Sequence, residues 1–148
     1  MEIAILALGC FWGPEIKFNK LNGVIKTEVG YCGGNITDTS YEEVCTGKTN
    51  HAEVVKIEFD NSKVSYEDIL NYFFEIHDPT TLDRQGPDVG SQYRSEIFYS
   101  NNKQKIIAEN VLKKYNKKFN GKIVTKISEF KNYCKAEQYH QKYLEKKF

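Results

Sequence analysis

One cysteine in this chain is set up for chemistry by its neighbours. Cys10 stands in Gly9-Cys10-Phe11-Trp12-Gly13, directly after the apolar run Ile3 to Leu8 and directly before Pro14 and Glu15. An apolar run that stops at a glycine and gives way to Pro and Glu predicts a strand turning into a helix. A thiol at the positive end of a helix is expected as thiolate, the form that attacks. Phe11 and Trp12 set two aromatic faces beside it. Glu53 is the second group. In the run Glu53 to Phe59 it shares a face with Val55, Ile57 and Phe59. Either this carboxyl lies at a strand end and reaches water, or it is held in an apolar site, kept neutral and able to give a proton near pH 7. Tyr41 and Tyr93 add hydroxyl donors, and Asp88 adds a second carboxylate. The set comprises a nucleophile, an acid, two donors and an apolar slot. A cysteine acyl-transferase needs a histidine base beside its thiol, and neither His51 nor His77 lies in a motif that would place it there. The slot suits a small, neutral, apolar group better than a charged one.

The elements that must position these groups are legible as patterns. Ile3 to Leu8 is apolar on both alternating faces and predicts a strand covered on both sides. Pro14 to about Lys20 predicts a helix, ended by Asn22-Gly23. Val24 to Val29 alternates as a second strand. Gly30, Gly33, Gly34 and Asn35 predict a flexible loop around Tyr31 and Cys32. Ser40 to Cys45 predicts a short helix capped by Ser40 with Glu43 as its box partner. Ser65 to His77 predicts a capped amphipathic helix that stops at Asp78-Pro79. Pro79 to Arg94 has no period; a connection this long in a small domain is usually functional or disordered, and its polar, hydrogen-bonding composition with Tyr93 points to the first. Ser95 to Tyr99 predicts a strand, and Asn101 to about Phe119 a lysine-rich helix ended by Asn120-Gly121. Lys122 to Ile127 predicts a further strand. Ala136, Tyr139, His140, Tyr143 and Leu144 recur at helical spacing and predict a last helix. The expected fold is α+β: one domain, residues 1–148, with a mixed sheet and flanking helices in two layers, as a ferredoxin-like plait.

Composition narrows the function. A chain of 148 residues supports one domain with a real core. Net charge of +1 gives no electrostatic case for a nucleic-acid partner. No run approaches the ~20 apolar residues of a membrane span, and with Met1 and Glu2 running straight into the first strand no signal peptide is expected. The expectation is a cytoplasmic monomer without membrane attachment. The four cysteines, Cys10, Cys32, Cys45 and Cys134, are expected reduced. The three histidines show no zinc spacing, so no metal and no bound cofactor are expected.

Several motifs in order carry a resemblance. Gly9-Cys10-Phe11-Trp12-Gly13 resembles the signature of the peptide-methionine (S)-S-oxide reductases, the A-type methionine sulfoxide reductases. Gly30-Tyr31-Cys32-Gly33-Gly34, Tyr41 to Gly47, His51-Ala52-Glu53, His77 to Thr80, Gln85 to Ser95 and Ala136 to Gln141 with Leu144 are similar to further motifs of that family. The resemblance runs from Gly9 to about Leu144. It implies that Cys10 attacks the sulfoxide sulfur and that Glu53 protonates the oxygen. It implies that Tyr41 and Tyr93 donate to that oxygen, that Asp88 helps position substrate or water, and that Phe11 and Trp12 hold the S-methyl. The implied products are methionine and a Cys10 sulfenic acid. The implied substrates are S-epimer methionine sulfoxides, free or in proteins.

Many family members carry recycling cysteines in a glycine-rich tail, and this sequence runs only to Phe148 just past the predicted last helix. The implied reductant is therefore an external thiol: glutaredoxin, thioredoxin or a small thiol. An internal partner is the alternative, with Cys32 first and Cys134 second, while Cys45 reads as packing. Two rival readings remain open at this level. Another cysteine enzyme, such as a thiol peroxidase or acyl-transferase, predicts turnover of peroxides or esters. A peptide-binding module predicts binding that survives Cys10→Ser.

Overall fold

A computed structural model describes residues 1–35 and 39–143. The chain runs β1 (Glu2–Leu8), α1 (Trp12–Asn19), β2 (Val24–Cys32), α2 (Tyr41–Cys45), β3 (Ala52–Phe59), α3 (Tyr66–Glu75), β4 (Arg84–Gln85), β5 (Asp88–Val89), β6 (Ser95–Tyr99), α4 (Asn102–Lys118), β7 (Lys126–Glu129) and β8 (Cys134–Lys135). Single 3-10 turns cover Ser91–Tyr93 and Gln138–His140. The main sheet has the order β7-β6-β1-β3-β2-β8. Its four central strands are antiparallel neighbours, and β7 joins β6 in parallel. Strand order β6-β1-β3-β2, with α1 crossing from β1 to β2 and α3 from β3 to β6, is the expected ferredoxin-like plait within a mixed sheet.

Alternation decides which face is which. Ala4, Leu6 and Leu8 of β1 and Val55, Ile57 and Phe59 of β3 join Phe18, Ile69, Leu70, Phe73, Phe74, Ala108, Val111 and Tyr115 from the helices in one core. Ile5, Ala7, Cys32, Ala52, Val54 and Phe98 form a smaller cluster on the other face. Each large core side chain contributes about 2 kcal/mol of burial, so the helix-covered face holds most of the stability. The Ser65 hydroxyl and the Asp68 carboxylate close a reciprocal capping box on α3. Ser40 caps α2 by accepting from the Glu43 N–H.

Four sequence expectations are corrected. The glycine loop at Gly30 is strand: Gly30, Tyr31 and Cys32 pair with Val54, Glu53 and Ala52. Gly30 is small because Cβ there would lie 2.6 Å from the Cys134 carbonyl and 2.7 Å from the Tyr133 ring, so this glycine marks a close approach. The strand expected at Lys122 begins only at Lys126. The Ile123 and Val124 N–H groups instead donate to Asn116 Oδ1 and to the Pro79 carbonyl, so the sheet does not claim them. The long segment after Pro79 folds into the β4–β5 hairpin and a 3-10 turn. The last helix is not formed through Gln141. The Ala136 N–H donates to the Val29 carbonyl, and the Gln141 amide brackets the Val29 N–H and carbonyl, holding the segment and its 3-10 turn against β2. Leu144 lies outside the described residues.

Candidate active site

The topology collects the reactive groups at one end of the sheet. β1 runs toward Cys10, while its antiparallel neighbours β3 and β6 start at that same end, bringing Glu53 and the residues just before Ser95. Tyr31 on β2 stands directly across from Glu53. Gly9 makes the exit from β1 possible. Its φ is +98°, and a Cβ would sit 2.7 Å from Cβ of Gln85 in the long loop. The Gln85 amide in turn bonds the Asp78 N–H and carbonyl, so the loop is buttoned over the cysteine turn.

Glu53 is 1 % exposed and lies on the helix-covered face. Its Oε1 accepts the Phe11 N–H at 3.2 Å, one of the free amides at the start of α1. Its Oε2 is buried and has no hydrogen-bond partner among the described residues. Burial pushes the carboxyl up to about 8, the Phe11 amide opposes this, and the charge of Asp88 adds to it. Of the two sequence readings, the buried neutral acid is the one the geometry gives.

Cys10 corrects an expectation. Its thiol is pushed up to about 12 instead of being held as thiolate. Burial is the main cause, and the negative fields of Glu53 and Asp88 add to it, while the Trp12 backbone N–H works the other way. One turn of helix cannot offset the loss of water around the sulfur.

Tyr41 at the start of α2 hydrogen-bonds through its hydroxyl to Tyr93 and Cys45. Both tyrosines are kept protonated, first by burial and also by the neighbouring Glu53. Tyr93 is positioned by Arg94, whose guanidinium donates to the Ser91 carbonyl at 2.9 Å, to the Asn50 carbonyl at 2.9 Å and to Glu96 at 2.6 Å. Phe11 is 1 % exposed and packs on Tyr31 and His140. Trp12 is half-buried and stacks on Tyr143 with ring centroids 4.0 Å apart. Cys10, Glu53, Tyr41, Tyr93, Asp88, Phe11 and Trp12 thus fall in one neighbourhood.

Cys32 and Cys134, the alternative internal partners, lie on opposite faces of the sheet. Cys32 is fully buried on the opposite sheet face, where its thiol donates to the Lys131 carbonyl at 3.3 Å. Cys134 Sγ lies 3.6 Å from the Thr39 carbonyl. Cys45 is exposed beside Tyr41.

Two residues escaped the sequence reading. Glu137 accepts the Tyr31 hydroxyl at 2.8 Å and the Tyr41 N–H at 3.0 Å, tying α2 to β2. Burial works against its charge, but those donors hold it below the usual carboxylate range. His140 accepts the Trp12 indole N–H. Both lie in the motif Ala136 to Gln141, where the helical spacing read as packing hid their polar work. Among the described residues no group of His, Cys, Asp and Glu could hold a metal ion, and no helix is long and apolar enough to cross a membrane.

The family model described as Peptide methionine sulfoxide reductase matches residues 2–148. The chain belongs to that family. The peptide methionine sulfoxide reductase MsrA of Pelagibacter ubique (strain HTCC1062) is 69 % identical over 147 residues, covering 99 % of this chain and all of that one. The reduced form of Mxr1 from Saccharomyces cerevisiae superposes with a TM-score of 0.94 at 36 % identity, over 98 % of this chain and 84 % of that one. Mxr1 in complex with Trx2 matches with a TM-score of 0.69 at 25 % identity, over 96 % of this chain and 84 % of that one. A peptide methionine sulfoxide reductase is an oxidoreductase of protein repair, and this chain reduces methionine sulfoxide to methionine with a thiol as the source of electrons.

Proposed function

We propose that Cys10 is the nucleophile, Glu53 the proton donor and Tyr41 and Tyr93 the oxygen-binding donors in reduction of the S epimer of methionine sulfoxide. The observation that carries this reading is the Glu53 carboxyl: buried, neutral at pH 7, anchored through Oε1 and left with Oε2 unpaired. A sulfoxide oxygen leaves sulfur only as it gains a proton, and a buried neutral acid supplies one. In the step, Cys10 sulfur bonds to the sulfoxide sulfur, Glu53 protonates the oxygen, and the thiol's own proton returns to Glu53. The S–O bond then breaks and the oxygen leaves as hydroxide; hydroxide or water adds to Cys10 sulfur, the S–S bond breaks, and its electron pair departs on the sulfur of methionine. Cys10 is left as sulfenic acid, methionine is released richer by two electrons, and atoms and electrons balance. The resting thiol at about 12 means that the nucleophile forms with substrate in place, not before.

Asp88 acts by its charge, keeping Glu53 and Cys10 protonated. Trp12 and Phe11 hold the S-methyl. A methyl slot fixed opposite fixed oxygen donors admits one arrangement at sulfur, which selects one epimer. One methyl is worth only ~0.8 kcal/mol, so affinity for the free amino acid is modest.

A second thiol then attacks the sulfenic sulfur, water leaves, and a further thiol frees Cys10. The burial of Cys32 on the opposite sheet face favours an external thiol over that cysteine, and the solved complex of Mxr1 with Trx2 supports a thioredoxin-type protein in that role. A reducing cytoplasm would supply it, and one domain over residues 1–148 would suffice. Offering equal amounts of the two epimers of free methionine sulfoxide with thioredoxin and its reductase tests the proposal. Consumption should stop at half of the total. Loss of both epimers, or reduction of neither, overturns it.

A further inference from the structure

We propose that His140 is the positioning residue of Trp12: its Nδ1 accepts the indole N–H and fixes the ring plane, and protonation of His140 releases the ring. The Trp12 Nε1 to His140 Nδ1 distance is 3.1 Å. An Nδ1 that accepts cannot carry hydrogen, so the neutral ring carries it on Nε2. Among the described residues that Nε2 is buried with no partner, in a side chain 2 % exposed. A buried donor without an acceptor is costly. Phenylalanine would fill the same space among Phe11, Tyr41 and Tyr139 without that cost. The imidazole is therefore explained by what Nδ1 does for Trp12. A second contact supports the same fixing, because the two rings also stack at 5.7 Å with an interplanar angle of 28°.

Protonation would set the Nδ1 N–H against the indole N–H, two donors face to face. The groups around His140 do not titrate in the same window. Burial holds His140 below the ordinary histidine value of 6.5, with the charge of Glu137 opposing. Glu137 itself lies below its usual range, Tyr41 and Tyr139 lie above theirs, Glu53 is near 8 and Cys10 near 12. Asp88 acts by its charge on Glu53, Cys10 and Tyr93, and Tyr31 donates to Glu137 and packs on Phe11.

The inference about substrate rests on the proposed role of Trp12, but the positioning itself does not. Trp12 is the one tryptophan in the chain, so its emission reports this ring alone. The test is emission of the full chain titrated from pH 9 to 5, for the natural protein, His140→Asn and His140→Phe. The natural protein should show a transition below pH 6.5, and His140→Asn, whose amide oxygen still accepts, should lack it while keeping any transition near 8. A flat natural titration below pH 7, or the same acid transition in His140→Asn, overturns the proposal. In steady state, His140→Phe should raise KM for free methionine sulfoxide roughly fivefold with kcat within about twofold, and His140→Asn should restore KM. Unchanged KM in His140→Phe also overturns it. If His140→Phe does not fold, the emission of His140→Asn decides alone.

Discussion

At the scale of single residues, the proposed chemistry turns on two acids that are both protonated at rest. Glu53→Gln keeps the shape and the Phe11 contact but has no proton to give. Turnover should fall roughly 10²–10⁴-fold, the usual worth of a placed general acid, with KM little changed. The pH profile of the natural protein should fall as pH rises through about 8, where Glu53 loses its proton. Asp88→Asn removes a negative field from Glu53 and Cys10, so that limb should move to lower pH. Stopped-flow pH–rate profiles read both. Cys10 should also alkylate slowly with iodoacetamide at pH 7, since its thiol lies near 12, and the rate should climb with pH above 9. The closeness of Cys10 and Glu53 could be anticipated in the sequence, from a cysteine between glycines and a glutamate on an apolar strand face, and the structure buries Glu53 against the residue after Cys10. The charge state of Cys10 could not. The helix start is visible in Pro14 and Glu15, but the depth at which the sulfur is buried is set by the long loop and by β3, both distant in sequence.

At the scale of elements, the turn after β1 carries the geometry. Gly9→Ala forces a side chain into a backbone with φ of +98° and into Gln85 at 2.7 Å. The cost should be about 1–3 kcal/mol, read as a lower denaturation midpoint, with activity lost beyond what the lower stability explains because Cys10 is displaced. Strands and helices with clear periods were legible: β1, β3, α3 and α4 appear within two residues of their expected bounds. Segments held by side-chain clamps were not. Gln141 and Ala136 tie the last described stretch to Val29, and a clamp from a residue 112 positions away leaves no periodic trace. The same holds after Asn120, where Asn116 and Pro79 satisfy the backbone in place of a strand.

At the scale of the whole molecule, the site is maintained at the expense of stability. The folded Glu53 value of about 8 lies above its ordinary 4.5, so between those values the folded chain binds a proton that the unfolded chain has lost. Stability should therefore decline as pH rises through that window, by up to about 1.4 kcal/mol for each pH unit, and level off above about 8. Glu53→Gln should lack the decline and be the more stable protein at pH 9 by a few kcal/mol, about the usual reach of a buried acid. Urea denaturation at pH 5, 7 and 9 measures it. A buried carboxyl that weakens the fold yet sits beside the proposed nucleophile is the pattern expected of a functional group.

The central claim is tested most directly by one turnover. Fully reduced protein is mixed with excess S-epimer methionine sulfoxide and no reductant, and methionine formed and thiols lost are counted per chain. The account predicts one methionine and one thiol lost, trapped at Cys10 as sulfenic acid, and none of either from Cys10→Ser. No methionine from the natural protein, or one methionine still made by Cys10→Ser, would contradict it.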